Sequence, residues 1–296
     1  MAINWEKYHL AKKKELNIVN SIAFYDFDAT KVKLKECFYY MVDLMASLKV
    51  MSDYMATDYN KKMVLFKNGL RLLEKKGFEG TNHFTLQAVQ PESVFNSLDF
   101  YDFMTIVSNK ETPRSVICMN SVLKTFEYEY YEKLMLNQLN FYNFNYAIYY
   151  EREYKYGPEW YSAGVGCDGN KYEAEGKEIS NWGNRYNAHY QEDPEFAYYT
   201  GLLRDIYPIN IIIKDHLNQR VGKGTLEEWI KSGDHRGTLH KLTDKHYSWR
   251  VPHEDIDAVR QALIPWRLLV AFNEIDCTPR TMTQEQIDAL LAKGDW

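Results

Sequence analysis

The stretch from Tyr207 to Phe272 constrains the fold most, because it alternates between extended and helical patterns. Ile209 to Ile213 is a β-branched run of the kind that suits a buried strand. Thr225 follows a glycine and precedes two glutamates, which is typical of the N-cap of a helix. Trp249 lies in a second extended segment, and apolar residues then return at helical spacing. The stretch predicts strand, short helix, strand and helix, closed by a last strand at Leu268–Phe272.

The rest of the chain also interleaves strands with helices. Predicted strands are Ile18 to Phe27, His83 to Val89, Phe100 to Val107, Arg114 to Met119 and Phe141 to Glu153, the last with Trp160 to Gly166 as its hairpin partner. Predicted helices are Lys31 to Met55 and Ser121 to Leu139, and Lys61 to Lys75 is either a helix or a strand that turns into one. These patterns predict an α+β fold with mixed or antiparallel sheets covered by helices. Two related α+β layers and a single mixed sheet both fit.

The domain boundary is expected in the polar stretch that follows Gly166. At 296 residues the chain is long enough for one large domain or two modest ones. The first arrangement assigns residues 1–166 to an N-terminal α+β domain and residues 167–296 to a polar loop and a C-terminal α+β domain. A single continuous domain fits nearly as well.

Charge and composition narrow the function classes. The formal net charge of −5 gives no electrostatic reason to expect nucleic-acid binding, which normally needs a basic face. No apolar run is long enough to cross a bilayer, and the N-terminus lacks the pattern of a signal peptide. We therefore expect a cytoplasmic protein without a membrane partner, and its oligomeric state stays open.

Metal ligands are sparse in the sequence. The four cysteines lie far apart without a CxxC pair, so buried free thiols are expected instead of a zinc site. Four histidines cluster in polar turns but lack the i, i+4 spacing of a helical metal site, so they are interpreted as surface residues; they are His235, His240, His246 and His253. We predict no metal or other cofactor from these residues.

One motif points to catalysis. Ile22 to Thr30 reads IAFYDFDAT, in which apolar residues precede Asp26 and Asp28. The segment resembles the first motif of haloacid-dehalogenase-type phosphatases, and MTIVSN ending at Asn109 looks like their second motif. The resemblance implies Asp26 as nucleophile, Asp28 as acid/base, Ser108 as phosphate ligand and Mg²⁺ as cofactor. No segment matches the later motifs, and Asp26 and Asp28 equally suit the start of a helix.

An irregular acidic and aromatic loop is the predicted partner-binding segment. Long loops inside compact proteins are uncommon and often functional. Aromatic anchors within a charged rim are typical of protein interfaces. The residues singled out for partner binding are Asp168, Glu173, Glu175, Glu178, Trp182, Tyr186, Tyr190, Glu192 and Asp193.

Two blocks of the sequence share features with a known class of proteins. Arg114 to Gly166 has the order strand, helix and aromatic strand, followed by WYSAGVG. Tyr207 to Phe272 has the short helix TLEEWI, the segment RGTL at 236 to 239 and the closing LLVAF. Together the two blocks resemble bacterial immunity proteins of type VI secretion systems, whose members bind and neutralise a cognate toxin in the cytoplasm. The resemblance implies a non-catalytic protein that binds a cognate toxin or effector; the alternative is the Mg²⁺-dependent phosphatase.

Overall fold

The structure is a computed structural model that describes residues 18–28, 31–60, 62–89, 101–108, 117–121, 127–153, 157–164, 179, 182, 201–272 and 284–292. The chain divides into two compact units. The first unit comprises Met1–Phe144, Tyr149–Ala163 and Cys167–Gly169, and the second comprises Asn145–Ile148, Gly164–Gly166 and Asn170–Trp296. Within the described ranges, no helix is both long enough and apolar enough to span a membrane.

The first unit is an antiparallel sheet with helices. Its strands are β1 (Ile18–Phe27), β2 (Tyr54–Thr57), β3 (Val64–Leu65), β4 (His83–Val89), β5 (Tyr101–Ser108) and β6 (Ile117–Ser121). Its helices are α1 (Leu34–Ser47), α2 (Phe66–Lys76), α3 (Tyr128–Asn137) and α4 (Pro158–Ser162), and the residues of strand β7 (Phe144–Glu153) are divided between the units. The strand order is β1-β6-β5-β4-β2-β3, and each neighbouring pair is antiparallel. The predicted α+β fold is therefore confirmed.

Aromatic side chains fill the core on one face of this sheet. Phe38 of α1 is fully buried, and its ring lies 5.3 Å from that of Phe84 on β4. The rings of Phe66 and Phe78 lie 6.4 and 5.5 Å from Phe38. Such ring contacts add specific geometry to a large burial of apolar area. Phe38 therefore joins α1 to the sheet and to both ends of the α2 region.

The opposite face of the sheet carries buried polar side chains. The hydroxyl of Ser21 donates to Oδ1 of Asn120 at 2.8 Å, and Nδ2 of Asn120 lies 3.4 Å from Sγ of Cys118. Burial raises the pKa of the Cys118 thiol to about 11, although the contact with Asn120 lowers it. A buried thiol with a raised pKa is unreactive. The predicted buried thiols are confirmed for Cys37 and Cys118, while Cys167 and Cys277 lie outside the described residues.

Three segments differ from their sequence-based predictions. The helix predicted to reach Met55 ends at Ser47, because the chain turns at Lys49 with a φ of 60° and then enters β2. The hairpin partner predicted from Trp160 is wrong, since α4 begins at Pro158, which suits the first turn of a helix. The closing strand is also wrong. Val270–Phe272 forms a 3-10 turn whose first amide donates to the carbonyl oxygen of Leu203.

The second unit is built around a smaller antiparallel sheet. Its strands are β8 (Ile209–Ile213), β9 (Arg220–Val221), β10 (Gly224–Thr225), β11 (Thr238–Lys241) and β12 (His246–Arg250). Its helices are α5 (Lys214–Leu217), α6 (Leu226–Lys231), α7 (Ile256–Leu263) and α8 (Gln284–Leu291). β12 pairs with β8 on one side and with β11 on the other, both antiparallel. β9 and β10 pair separately as a two-stranded ribbon.

Several predictions for this block are confirmed, but the prediction that His246 is a surface residue is wrong, because it is only 3% exposed in β12. All five residues of β8 are buried, as its four isoleucines suggest. Thr225 caps α6: its hydroxyl accepts from the amide of Glu228, whose carboxylate accepts from the amide of Thr225. This reciprocal pair is a capping box. Trp249 is fully buried in β12, and its indole N–H donates to the carbonyl oxygen of Arg236 at 2.8 Å.

A buried histidine lies in α5. His216 is 1% exposed, and its Nδ1 accepts from the amide of Ile213 at 3.3 Å. The aromatic ring of Tyr146 lies 5.4 Å from the imidazole. Burial lowers the pKa of His216 from 6.5 to about 3, so the folded residue is neutral across the physiological range.

This pKa predicts acid sensitivity. The unfolded residue takes up a proton near pH 6.5 and the folded residue only near pH 3. The stability of the folded protein therefore decreases as the pH is lowered from 6.5 toward 3, and His216 does not change it above that range. Between pH 7.5 and pH 5, His216 should lower the free energy of unfolding by about 2 kcal/mol. Urea unfolding at both pH values measures this, with His216→Gln as the comparison. An equal acid-dependent loss in both proteins would contradict the assignment.

Candidate interaction surfaces

The two carboxylates of the phosphatase-like motif lie where β1 ends. Asp26 has a φ of 52°, an unusual conformation that aspartate tolerates better than most residues. Asp28 is exposed, and its carboxylate lies 2.7 Å from Nζ of Lys31. The amide of Lys31 also donates to the carbonyl oxygen of Asp28 at 3.0 Å. The hydrogen bond to Asp28 raises the pKa of Lys31. Asp28 thus contacts Lys31 through both its side chain and its carbonyl oxygen.

Ser108 lies at the same end of the strands as Asp26 and Asp28, but it belongs to β5. Phe24 of β1 and Val107 of β5 both pair with Ile117 of β6, so β1 and β5 run in the same direction with β6 between them. Two strand spacings separate β1 from β5 by about 10 Å. Among the described residues, no three His, Cys, Asp or Glu side chains are grouped as metal ligands. The roles of Asp26, Asp28 and Ser108 stay predictions, as does Mg²⁺.

The sequence-based prediction missed His83, which pairs with Ser108, and Asp58, which lies beside His83. His83 of β4 pairs directly with Ser108 of β5, and Nδ1 of His83 lies 3.1 Å from the carboxylate of Asp58. Nδ1 of His83 is buried and has no hydrogen-bond partner among the described residues. Asp58 instead accepts from the amide of Asn82 at 2.5 Å and from the hydroxyl of Thr81 at 3.4 Å. Through these contacts Asp58 holds the turn that precedes β4.

Most of the acidic and aromatic loop lies outside the described residues. The predicted partner-binding residues that lie outside the described ranges are Asp168, Glu173, Glu175, Glu178, Tyr186, Tyr190, Glu192 and Asp193. Trp182 is described and is 2% exposed. The guanidinium of Arg204 lies 5.1 Å from the centroid of its ring, within the range of a cation–π contact. In this chain Trp182 serves as a core residue, and the partner-binding role of the loop stays a prediction.

β11 is an edge strand with an open side. The amide of Leu242 donates to the carbonyl oxygen of His246 on β12 at 2.9 Å. Because backbone groups alternate in direction along an antiparallel strand, this bond shows which residues of β11 face β12. Thr238 and His240 therefore direct their backbone groups toward β12, and Leu239 and Lys241 direct theirs away from it. Within the described part of the chain, β11 has a neighbour on one side only. Its outward N–H and C=O groups can accept a further strand.

The start of β11 depends on a glycine. Gly237 has a φ of 81°, which disfavours any residue with a Cβ atom. A Cβ at this position would also collide with the carbonyl oxygen of Arg250 on β12. The close approach of the two backbones therefore fixes where β11 begins.

A second surface lies on α2. Lys67, Arg71 and Lys75 follow each other at four-residue intervals and are all exposed; we call these three residues the basic stripe. None of them has an ion-pair partner among the described residues. Like charges at this spacing destabilise a helix by roughly 0.2–0.5 kcal/mol per pair. Lys67 also lies in the first turn, where the helix dipole disfavours a cation.

Apolar side chains are exposed beside this helix. Met51 is 81% exposed, and Leu65, which directly precedes α2, is 54% exposed. The amide of Phe66 donates to the carbonyl oxygen of Asp53 at 2.8 Å, which holds the start of α2 against the segment after Met51. Gly69 permits close packing, because a Cβ there would collide with the side chain of Met55. The surface around α2 thus combines unpaired positive charge with exposed apolar groups.

Comparisons with known proteins give no relative for this chain. No protein-family model, curated protein or solved structure matches it.

Proposed function

We propose that this chain is a cytoplasmic, non-catalytic binding protein of immunity type, which neutralises a toxin by direct contact. The supporting observation is the open side of β11, where Leu239 and Lys241 direct backbone groups away from β12. β11 lies within Tyr207–Phe272, one of the two blocks whose pattern resembles immunity proteins. The proposed contact adds an extended segment of the toxin to this edge.

Strand addition suits the chemistry of this edge. Main-chain hydrogen bonds supply affinity in this mode, and alternate side chains supply specificity. Thr238, His240 and Lys241 are exposed, while Leu239 is half-buried. A lysine on an edge strand disfavours uncontrolled pairing between copies of a protein. The edge is therefore open to a partner strand that tolerates or complements the charge of Lys241.

Lys241→Pro tests the contact with a matched control. Proline removes the outward N–H of residue 241 but no bond to β12, because that N–H does not face β12. Lys241→Ala removes the same side chain, including its ion pair with Asp244, and keeps the N–H. With a toxin encoded by a neighbouring gene, we expect Lys241→Pro to bind about tenfold more weakly than Lys241→Ala, which corresponds to about 1.4 kcal/mol.

The readouts are pull-down after coexpression, titration of the purified proteins, and protection of cells that express the toxin. Circular dichroism checks that both variants fold. Equal affinities for the two variants would rule out strand addition at β11. Failure of the wild-type chain to bind or protect would count against the immunity function itself.

A further inference from the structure

We propose that the exposed face of α2 is a docking site for an acidic surface of a protein partner. The site consists of the basic stripe (Lys67, Arg71 and Lys75) with the exposed side chains of Met51 and Leu65. It belongs to the first unit and does not depend on β11 or on the proposed immunity function.

The charge distribution along the chain sets this surface apart. Residues 61–76 contain six lysine or arginine residues and one glutamate, a formal charge of +5. Because the whole chain has a formal charge of −5, the other residues together carry −10. The helix α2 is therefore basic, although the chain as a whole is acidic.

Local pairing does not explain the stripe. Lys76, the neighbouring base, lies over the ring of Tyr59 at 4.9 Å from its centroid. For Lys67, Arg71 and Lys75 the described residues supply neither an ion pair nor a ring contact. Three like charges on one helix stripe repel each other. Lys67 also lies at the end of the helix where the dipole disfavours a cation, whereas Lys75 lies in the last turn, where the dipole favours one. A partner that brings negative charge to the stripe relieves both terms.

The exposed apolar residues favour a protein over other polyanions. Protein interfaces combine an apolar centre with a charged rim, and Met51 and Leu65 supply apolar contacts beside the stripe. Methionine is adaptable and common at binding surfaces. A nucleic acid or an anionic membrane extends its negative field well beyond three side chains, and the −10 charge of the other residues would oppose it. A local acidic patch on a protein avoids this repulsion.

The spacing of the stripe defines the complementary surface. Residues four apart on a helix are separated by about 6 Å along its axis, so the three bases span about 12 Å. Carboxylates repeated at four-residue intervals on a second helix have the same spacing. We infer that the partner presents an acidic helix face with apolar side chains next to the carboxylates.

A designed peptide provides the probe. It is a helical peptide with glutamates at three positions four residues apart and leucines on the adjoining face; a second peptide carries glutamines instead. Binding to the full chain is measured by fluorescence anisotropy at an ionic strength of about 10 mM and again at about 150 mM. Single-stranded DNA and phosphatidylserine vesicles are tested in parallel.

Two sets of variants separate the stripe from net charge. The test variant is Lys67→Glu, Arg71→Glu, Lys75→Glu. The control, Lys35→Glu, Lys133→Glu, Lys223→Glu, changes the net charge equally at three exposed, dispersed lysines. Circular dichroism checks folding, and the neutral variant Lys67→Gln, Arg71→Gln, Lys75→Gln serves if the charge-reversed chain does not fold.

We expect the glutamate peptide to bind the wild type and the control variant with affinities within about threefold of each other. The stripe variant should lose at least about tenfold, and higher salt should weaken binding. Met51→Ser with Leu65→Ser should also weaken it. The proposal is overturned if the glutamate peptide does not bind the wild type, if the glutamine peptide binds equally well, if both triple variants lose affinity equally, or if DNA or vesicles bind more tightly than the peptide.

Discussion

Replacing Arg260 by leucine should lower the free energy of unfolding of the second unit by about 3–5 kcal/mol. Nε of Arg260 donates to the carboxylate of Asp205 at 2.8 Å, and the Asp205 side chain is only 4% exposed. Burial raises the pKa of Asp205, and the guanidinium of Arg260 opposes this effect. Without Arg260, a buried carboxylate must stay charged without its main partner or take up a proton. Urea unfolding at neutral pH measures the loss.

The second contact of Arg260 provides the control. Its Nη1 also pairs with Asp257, whose side chain is 89% exposed. Exposed ion pairs contribute about 0–1 kcal/mol, so Asp257→Asn should change stability little. Similar losses for Arg260→Leu and Asp257→Asn would show that the buried pair is not what makes Arg260 important.

Phe38→Ala should be equally severe in the first unit, with an expected loss of about 3–5 kcal/mol. Phe38 is fully buried, and truncation leaves a cavity among the rings of Phe66, Phe78 and Phe84. Hydrogen exchange of the β4 amides reports the stability of this unit.

Tyr39→Ala is the matched control for Phe38→Ala. Tyr39 is the next residue of α1, and the centroid of its ring lies 5.4 Å from that of Phe38. Its side chain is nevertheless 41% exposed. Its truncation should cost clearly less than that of Phe38, because water can fill the space. If the two variants lost similar stability, the aromatic core around Phe38 would not have the role assigned to it.

The sequence predicted those parts of the fold that depend on local signals. Ile18–Phe27 forms the predicted strand because its run of apolar residues is a local signal. Thr225 was recognisable as a cap because the capping box spans four residues. β11 was missed because Thr238–Lys241 is short, largely exposed and nearly without apolar alternation. An edge strand of this kind is defined by its neighbour.

The surfaces were harder to predict for a similar reason. The pairing of His83 with Ser108 depends on strand register, which no local pattern reveals. Lys67, Arg71 and Lys75 do show their four-residue spacing in the sequence. The negative net charge of the chain gives no sign of this stripe, because it sums the charges of all residues, including those far from α2 in the sequence. The structure adds that all three side chains are exposed and that none has an ion pair among the described residues.

Hydrogen exchange of the β11 amides, with and without the toxin, tests the proposed function most directly. The amides of Leu239 and Lys241 face away from β12 and should exchange quickly in the free protein. The amide of His240 faces β12 and should already be protected. Strand addition predicts that the toxin slows exchange at Leu239 and Lys241 and leaves His240 nearly unchanged. Unchanged exchange at Leu239 and Lys241 in a saturated complex would contradict it.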